Sequence, residues 1–114
     1  MTTLYGIKNC DTMKKAMRWL SDNNIDYTFH DYRKEGIDAQ WITDMLTNVE
    51  LDVFINKRGT TFRQLDDDVK AALTVASAIP LLIAQPAMIK RPVLIHGNKI
   101  EIGFKPDTYK HIFL

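Results

Sequence analysis

The sequence predicts an α/β fold with a mixed four-stranded sheet, and three observations carry that expectation. A short apolar run, a helical stretch and an alternating run open the chain as β-α-β. The middle is a succession of short helical segments. Near the C-terminus a Gly-Asn pair joins two apolar runs into an antiparallel hairpin, and a last helix follows.

Thr3 to Ile7 reads as the first strand, and Thr12 to Asn23 places Met13, Ala16, Met17 and Leu20 on one helical face. Ile25, Tyr27 and Phe29 alternate with Asp26, Thr28 and His30, so a second strand ends near Tyr32. Two strands joined through a helix run parallel with a right-handed crossover. Asp38 suits the N-cap of a helix whose face is Ile42, Met45, Leu46 and Val49. Shorter helices are expected from Leu51 to Ile55, from an Asp66-Asp67-Asp68 cap to Ala76, and in a segment with Pro80 in its first turn. Val93-Leu94-Ile95-His96 and Lys99-Ile100-Glu101-Ile102 flank Gly97-Asn98 as the hairpin. Pro106 and Asp107 suit the first turn of a final helix that buries Tyr109, Ile112 and Phe113. The order β-α-β, helices, β-β-α is that of a thioredoxin-type fold, here a single domain over residues 1–114 with a helical insertion at about residues 36–88.

Composition narrows the partners. A chain of 114 residues buries roughly two-thirds of its unfolded surface, enough for a real core. Apolar residues at 46% and charged residues at 25% are ordinary for a soluble domain. Fifteen Lys and Arg against fourteen Asp and Glu leave a net charge of +1, which sets up no field for nucleic acid or an anionic membrane. Met1-Thr2-Thr3-Leu4-Tyr5 carries no basic, apolar leader pattern, and no apolar run approaches a membrane span. A cytoplasmic monomer is expected.

Cys10 lies in Lys8-Asn9-Cys10-Asp11-Thr12, where strand becomes helix, so its sulfur can face unpaired N–H groups and the positive end of the helix dipole. Lys8 and Lys14 add positive potential, and Asp11 opposes it unless its carboxylate turns back to cap the helix. These features favour a thiolate; a lone cysteine is otherwise a small buried hydrophobe, and position alone leaves both open. A single cysteine also forbids an intrachain disulfide. Any mixed disulfide must then be resolved by an outside thiol, such as glutathione or a partner protein.

Arg91-Pro92 precedes the third strand, where Pro92 is a candidate cis peptide whose edge faces the cysteine. Arg91 would then reach Cys10 with a fork suited to a carboxylate or oxyanion; the alternative is a solvated charge before a trans proline. Asn56-Lys57-Arg58-Gly59-Thr60-Thr61-Phe62-Arg63 sets three cations around a Gly-bearing turn, with Arg58 the preferred second anion ligand and Lys57 and Arg63 surface charges. Lys105 can approach from the C-terminal side or stay free at the surface. His30, His96 and His111 have no metal-ligand spacing with Cys10, so no metal is expected. Trp19, Trp41 and Tyr109 fall on helix faces as packing residues.

With Tyr5-Gly6-Ile7-Lys8-Asn9-Cys10-Asp11-Thr12, Asn56-Lys57-Arg58-Gly59-Thr60-Thr61-Phe62 and Lys90-Arg91-Pro92-Val93 in this order, the sequence resembles the arsenate-reductase (ArsC) family. It looks most like the YffB branch, from about Thr3 to Phe113. The resemblance implies a thioredoxin fold and glutathione- or glutaredoxin-dependent reduction through a thiolate at Cys10, with no tightly bound cofactor. It matches Arg91 to the family's arginine before the cis proline, and it groups Asn9, Asp11 and Thr12 about the thiol. An arginine slot falls on Asn56, another on Lys105, and Gly6 stands where the family has a histidine. With one arginine in strict register, the set suits a glutathione carboxylate or a glutathionylated thiol rather than arsenate, with a small oxidised substrate or a mixed disulfide as the partner. The alternative is a non-catalytic regulator like the Spx proteins, which share the fold and bind RNA polymerase. Met13 in the second position of a would-be Cys-x-x-Cys pair argues against the redox-switch form of that alternative.

Overall fold

The computed structural model describes residues Met1–Leu114 and divides them into two compact units, Met1–Glu35 with Arg91–Leu114, and Gly36–Lys90. The first unit contains β1 (Thr2–Gly6), α1 (Asp11–Asp22), β2 (Thr28–Asp31), the short α2 (Tyr32–Glu35), β3 (Val93–His96), β4 (Lys99–Ile102) and α8 (Pro106–Phe113). The second contains α3 (Ala39–Asn48), α4 (Leu51–Phe54), α5 (Thr60–Arg63), α6 (Asp67–Ala71), α7 (Val75–Ala84) and a 3-10 turn at Pro86–Met88.

The sheet has the order β2-β1-β3-β4. β1 and β2 are parallel, with Gly6 opposite Asp31, while β1 and β3 are antiparallel, with Tyr5 opposite Val93. This is the thioredoxin-like arrangement expected from the element order, and its register places three chain ends together. The C-terminal ends of β1 and β2 and the N-terminal end of β3 share one edge of the sheet. Gly97 closes the β3–β4 hairpin at φ 60°, a left-handed value that costs glycine little and that a two-residue turn needs. At the other end of the sheet the Thr2 hydroxyl and His96 Nδ1 lie 2.7 Å apart, across the register pair Thr2–His96.

Alternation along β1 sends Leu4 to one face, where Met13, Ala16 and Leu20 of α1, Leu94 of β3 and Tyr109 of α8 are all buried with it. Each fully buried aliphatic side chain of this kind contributes about 1.5–3 kcal/mol relative to exposure. Tyr109 stands edge-on to Trp19 at 5.6 Å and to Phe104 at 4.7 Å between ring centroids, so Trp19 and Tyr109 are packing residues. In the second unit α3 packs on α7, burying Ile42, Met45, Ala78 and Leu82. An antiparallel bridge between Ile55 and Ile89 ties the segment after α4 to the end of the unit, with the N–H of Asn56 donating to the Met88 carbonyl and the N–H of Lys90 to the Phe54 carbonyl, both at 2.8 Å. No helix is long and apolar enough to cross a membrane.

Several element boundaries differ from expectation, each for a local reason. The second strand is confined to Thr28–Asp31; Ile25 and Tyr27 precede it and pack against the core instead. The helix expected to run from the acidic triplet to Ala76 stops at Ala71, and Asp66 makes no side-chain cap bond. A new helix starts behind Thr74, whose side chain accepts from the Ser77 N–H while the Ser77 hydroxyl accepts from the Thr74 N–H. That reciprocal cap moves the start of α7 upstream, so Pro80 stands inside the helix rather than in its first turn. Asp38 does cap α3, accepting from the Trp41 N–H at 2.8 Å. Part of the expected basic loop is helical, as α5.

Candidate functional site

Cys10 follows β1 at the N-cap of α1, with extended backbone angles of φ −134° and ψ 129°. Its carbonyl already accepts the first helical bond, from Lys14 at 3.0 Å. Its side chain closes no cap hydrogen bond. The half-buried thiol is nonetheless shifted toward ionisation. Burial pushes its pKa up, and the N–H of Met13, the guanidinium of Arg91 and the N–H of Thr12 together outweigh that and hold it below the ordinary thiol value.

Arg91 reaches Cys10 through strand pairing. Because β3 runs antiparallel to β1, the residues preceding Val93 lie beyond Gly6, beside the loop that carries the cysteine. The Arg91–Pro92 peptide is cis, and the Pro92 carbonyl accepts from the Gly103 N–H at 2.8 Å. Arg91 is half-buried with its Nε out of contact with solvent. Its charge acts on a second group as well, the phenol of Tyr32. Tyr32 is 3% exposed; burial pushes its pKa up, Arg91 opposes that, and Tyr5 adds to it. Tyr32 immediately follows the register pair Gly6–Asp31, so it caps the same sheet edge. Sequence reasoning leaves Tyr32 out of the site, and its only signal is that it sits directly after the second parallel strand.

The remaining candidates fall into two groups. Lys8, Asn9, Asp11 and Lys14 are exposed around the β1–α1 junction, and Thr12 is half-buried there. Asp11 lies in the first turn of α1, where a carboxylate suits the helix dipole. Lys105 is the exposed N-cap residue of α8. Asn56, Lys57, Arg58 and Arg63 belong to the second unit. There the Asn56 Oδ1 accepts from the Arg58 N–H at 3.3 Å, and Lys57 pairs with Asp52 at 2.6 Å. Lys57 is thus the surface charge the sequence suggests, and the Arg58 side chain is exposed.

His30 stacks on Tyr5 at 4.9 Å and stands 4.0 Å from Glu35, His96 belongs to the hairpin, and His111 is exposed on α8.

The site is a thioredoxin-like sheet end that carries a helix-start cysteine with an arginine beside it. The ArsC family model matches residues 5–112, so the chain belongs to the ArsC family. A solved structure of a YffB protein is 49% identical, covers 97% of each chain and superposes with a TM-score of 0.93. That of an arsenate reductase (ArsC) related protein from Brucella melitensis is 54% identical over 98% of this chain and 93% of its own, with a TM-score of 0.81. The global transcriptional regulator Spx of Listeria innocua is 28% identical over 96% of this chain and 85% of its own length.

Proposed function

We propose that the chain is a thiol-dependent reductase in which Cys10 is the nucleophile and glutathione the co-substrate. The observation that supports it is a half-buried sulfur favoured as thiolate by a helix start and by Arg91. The Cys10 thiolate attacks the glutathionyl sulfur of a mixed disulfide, that S–S bond breaks, and the departing thiolate takes a proton from water. A glutathione thiolate then attacks the disulfide left on Cys10. Oxidised glutathione leaves and the Cys10 thiolate is restored, so one disulfide is consumed and one formed: the substrate sulfur is reduced to a thiol and the sulfur of the incoming glutathione is oxidised in its place. A glutaredoxin can replace glutathione in the second step.

Arg91 supplies a planar fork for a carboxylate or an anionic intermediate, and Arg58 is included as a second anion ligand on its sequence motif. With Asn56 and Lys105 in two of the family's arginine slots, glutathionylated thiols are preferred over arsenate as substrate. A reducing cytoplasm is the compartment in which a lone thiol of this kind works.

The test is the rate of Cys10 alkylation against pH, together with glutathione-dependent turnover of a small glutathionylated substrate. A midpoint below the ordinary value of about 8.5 and loss of turnover in Cys10→Ser are expected. A midpoint near about 8.5 with turnover unchanged in Cys10→Ser sinks the proposal. Arg58→Ala separates the contribution of the second unit.

The similarity to Spx regulators favours a second reading, a binding protein that acts on RNA polymerase without turnover. Co-purification of polymerase in stoichiometric amount from a lysate, with no glutathione-dependent activity, is the outcome that selects it.

A further inference from the structure

We propose that Gly6 and Met13 form a positioning pair that seats the first turn of α1, and with it the Met13 N–H, against the Cys10 sulfur. The inference rests on Cys10 being the reacting thiolate and adds residues that never touch a substrate. Gly6 ends β1 and is buried, and Met13 is the third residue of α1 with no exposed surface. A Cβ added at position 6 would stand 2.8 Å from Met13 Cε and 3.4 Å from its Cγ, with Sδ nearer still. The thioether therefore occupies the volume that any side chain at position 6 would need.

A methionine tip usually swings aside, because three rotatable bonds let it fill whatever gap is offered. Here Leu4, Ala16, Leu20, Leu94 and Tyr109 are buried in the same cluster, so the alternative volumes are already filled. Added bulk at position 6 is relieved by moving the turn that carries Met13. That turn also carries the N–H groups of Thr12 and Met13, which face Cys10 and favour its charged form. Gly6 thereby controls the sulfur through Met13 without contacting anything that reacts.

The experiment measures the pH midpoint of iodoacetamide alkylation of Cys10 in the full chain for wild type, Gly6→Ala, Met13→Ala and the double variant, with a thermal melt of each. A structural role alone moves the melt; the pairing moves the midpoint. Gly6→Ala is expected to raise the midpoint by about half to one pH unit, the effect of weakening one hydrogen bond to the thiolate. Adding Met13→Ala, which frees the contested volume, is expected to return it to the wild-type value. A folded Gly6→Ala with the wild-type midpoint overturns the pairing, and so does a double variant that stays shifted. Should Gly6→Ala fail to fold, recovery of folding in the double variant supports the shared volume, and its absence while Met13→Ala alone folds overturns it. A wild-type midpoint at the ordinary thiol value removes the thiolate reading itself, an outcome distinct from failure of the pair.

Discussion

The Arg91 guanidinium hydrogen-bonds the sulfur of Cys10, two groups far apart in the chain that meet where β1 ends and β3 begins. An adjacent cation favours the charged thiolate. Arg91→Ala is therefore expected to raise the alkylation midpoint by about one pH unit, which lowers the thiolate fraction at neutral pH by up to about tenfold. Arg91→Lys restores part of the shift, because an ammonium keeps the charge and loses the fork. An unmoved midpoint in a stably folded Arg91→Ala contradicts the contact.

The same shift makes folding stability depend on pH. Cys10 ionises more readily in the folded chain than in the unfolded one. Its contribution is fully present above the ordinary thiol value of about 8.5 and is lost as pH falls through the folded one. Urea unfolding of wild type and Cys10→Ser at about pH 6 and about pH 9 tests the sign: the difference in stability should grow in favour of wild type with rising pH. A difference that shrinks or stays flat rejects it.

Tyr109 has the opposite sign. Burial, assisted by the charge of Glu101, pushes its phenol well above the reference value of 10.0. The stability it contributes is fully present below that reference value and is lost as pH rises through the folded one. Its hydroxyl is buried without a hydrogen-bond partner, so Tyr109→Phe is expected to be neutral or stabilising by up to about 1 kcal/mol at neutral pH. The variant should also lose part of the alkaline destabilisation. Thermal melts at neutral and alkaline pH decide both points, and a neutral-pH loss beyond about 1 kcal/mol would show a bonded hydroxyl.

Leu20 has no exposed surface and sits in the cluster beneath the sheet. Leu20→Ala is expected to cost about 2–5 kcal/mol through lost burial and a residual cavity. Ile83, 41% exposed on α7, serves as the contrast, with Ile83→Ala within about 0.5 kcal/mol. Equal costs in denaturant unfolding would show that the assignment of core and surface is wrong.

Two helix starts in the second unit give a paired prediction. Thr74 caps α7 through a reciprocal pair with Ser77, whereas Asp66 makes no side-chain bond at the start of α6. Thr74→Ala should destabilise by about 1 kcal/mol and Asp66→Ala by a few tenths at most. Urea melts that rank them in the reverse order refute the capping assignment.

Hairpin, opening helix and terminal helix were all legible in the sequence because their signals are local: a glycine where a turn needs positive φ, apolar spacing, a proline in a first turn. The middle is less legible. Thr74 and Ser77 define a helix start only as a reciprocal pair, whereas Pro80, a first-turn signal by itself, stands inside the helix. The basic motif from Asn56 to Arg63 is visible, but the folding of its Thr60–Arg63 end into α5 is not.

Sequence alone determined that the only cysteine stands where a strand hands over to a helix, since that follows from residues next to one another in the chain. Tertiary structure decided which groups act on it. Parallel pairing brings Tyr32 to the edge, antiparallel pairing brings Arg91, and buried packing sets Gly6 against Met13. Periodicity and capping propensity report on a few neighbouring residues, whereas electrostatics and excluded volume act between atoms close in space, whatever their separation along the chain.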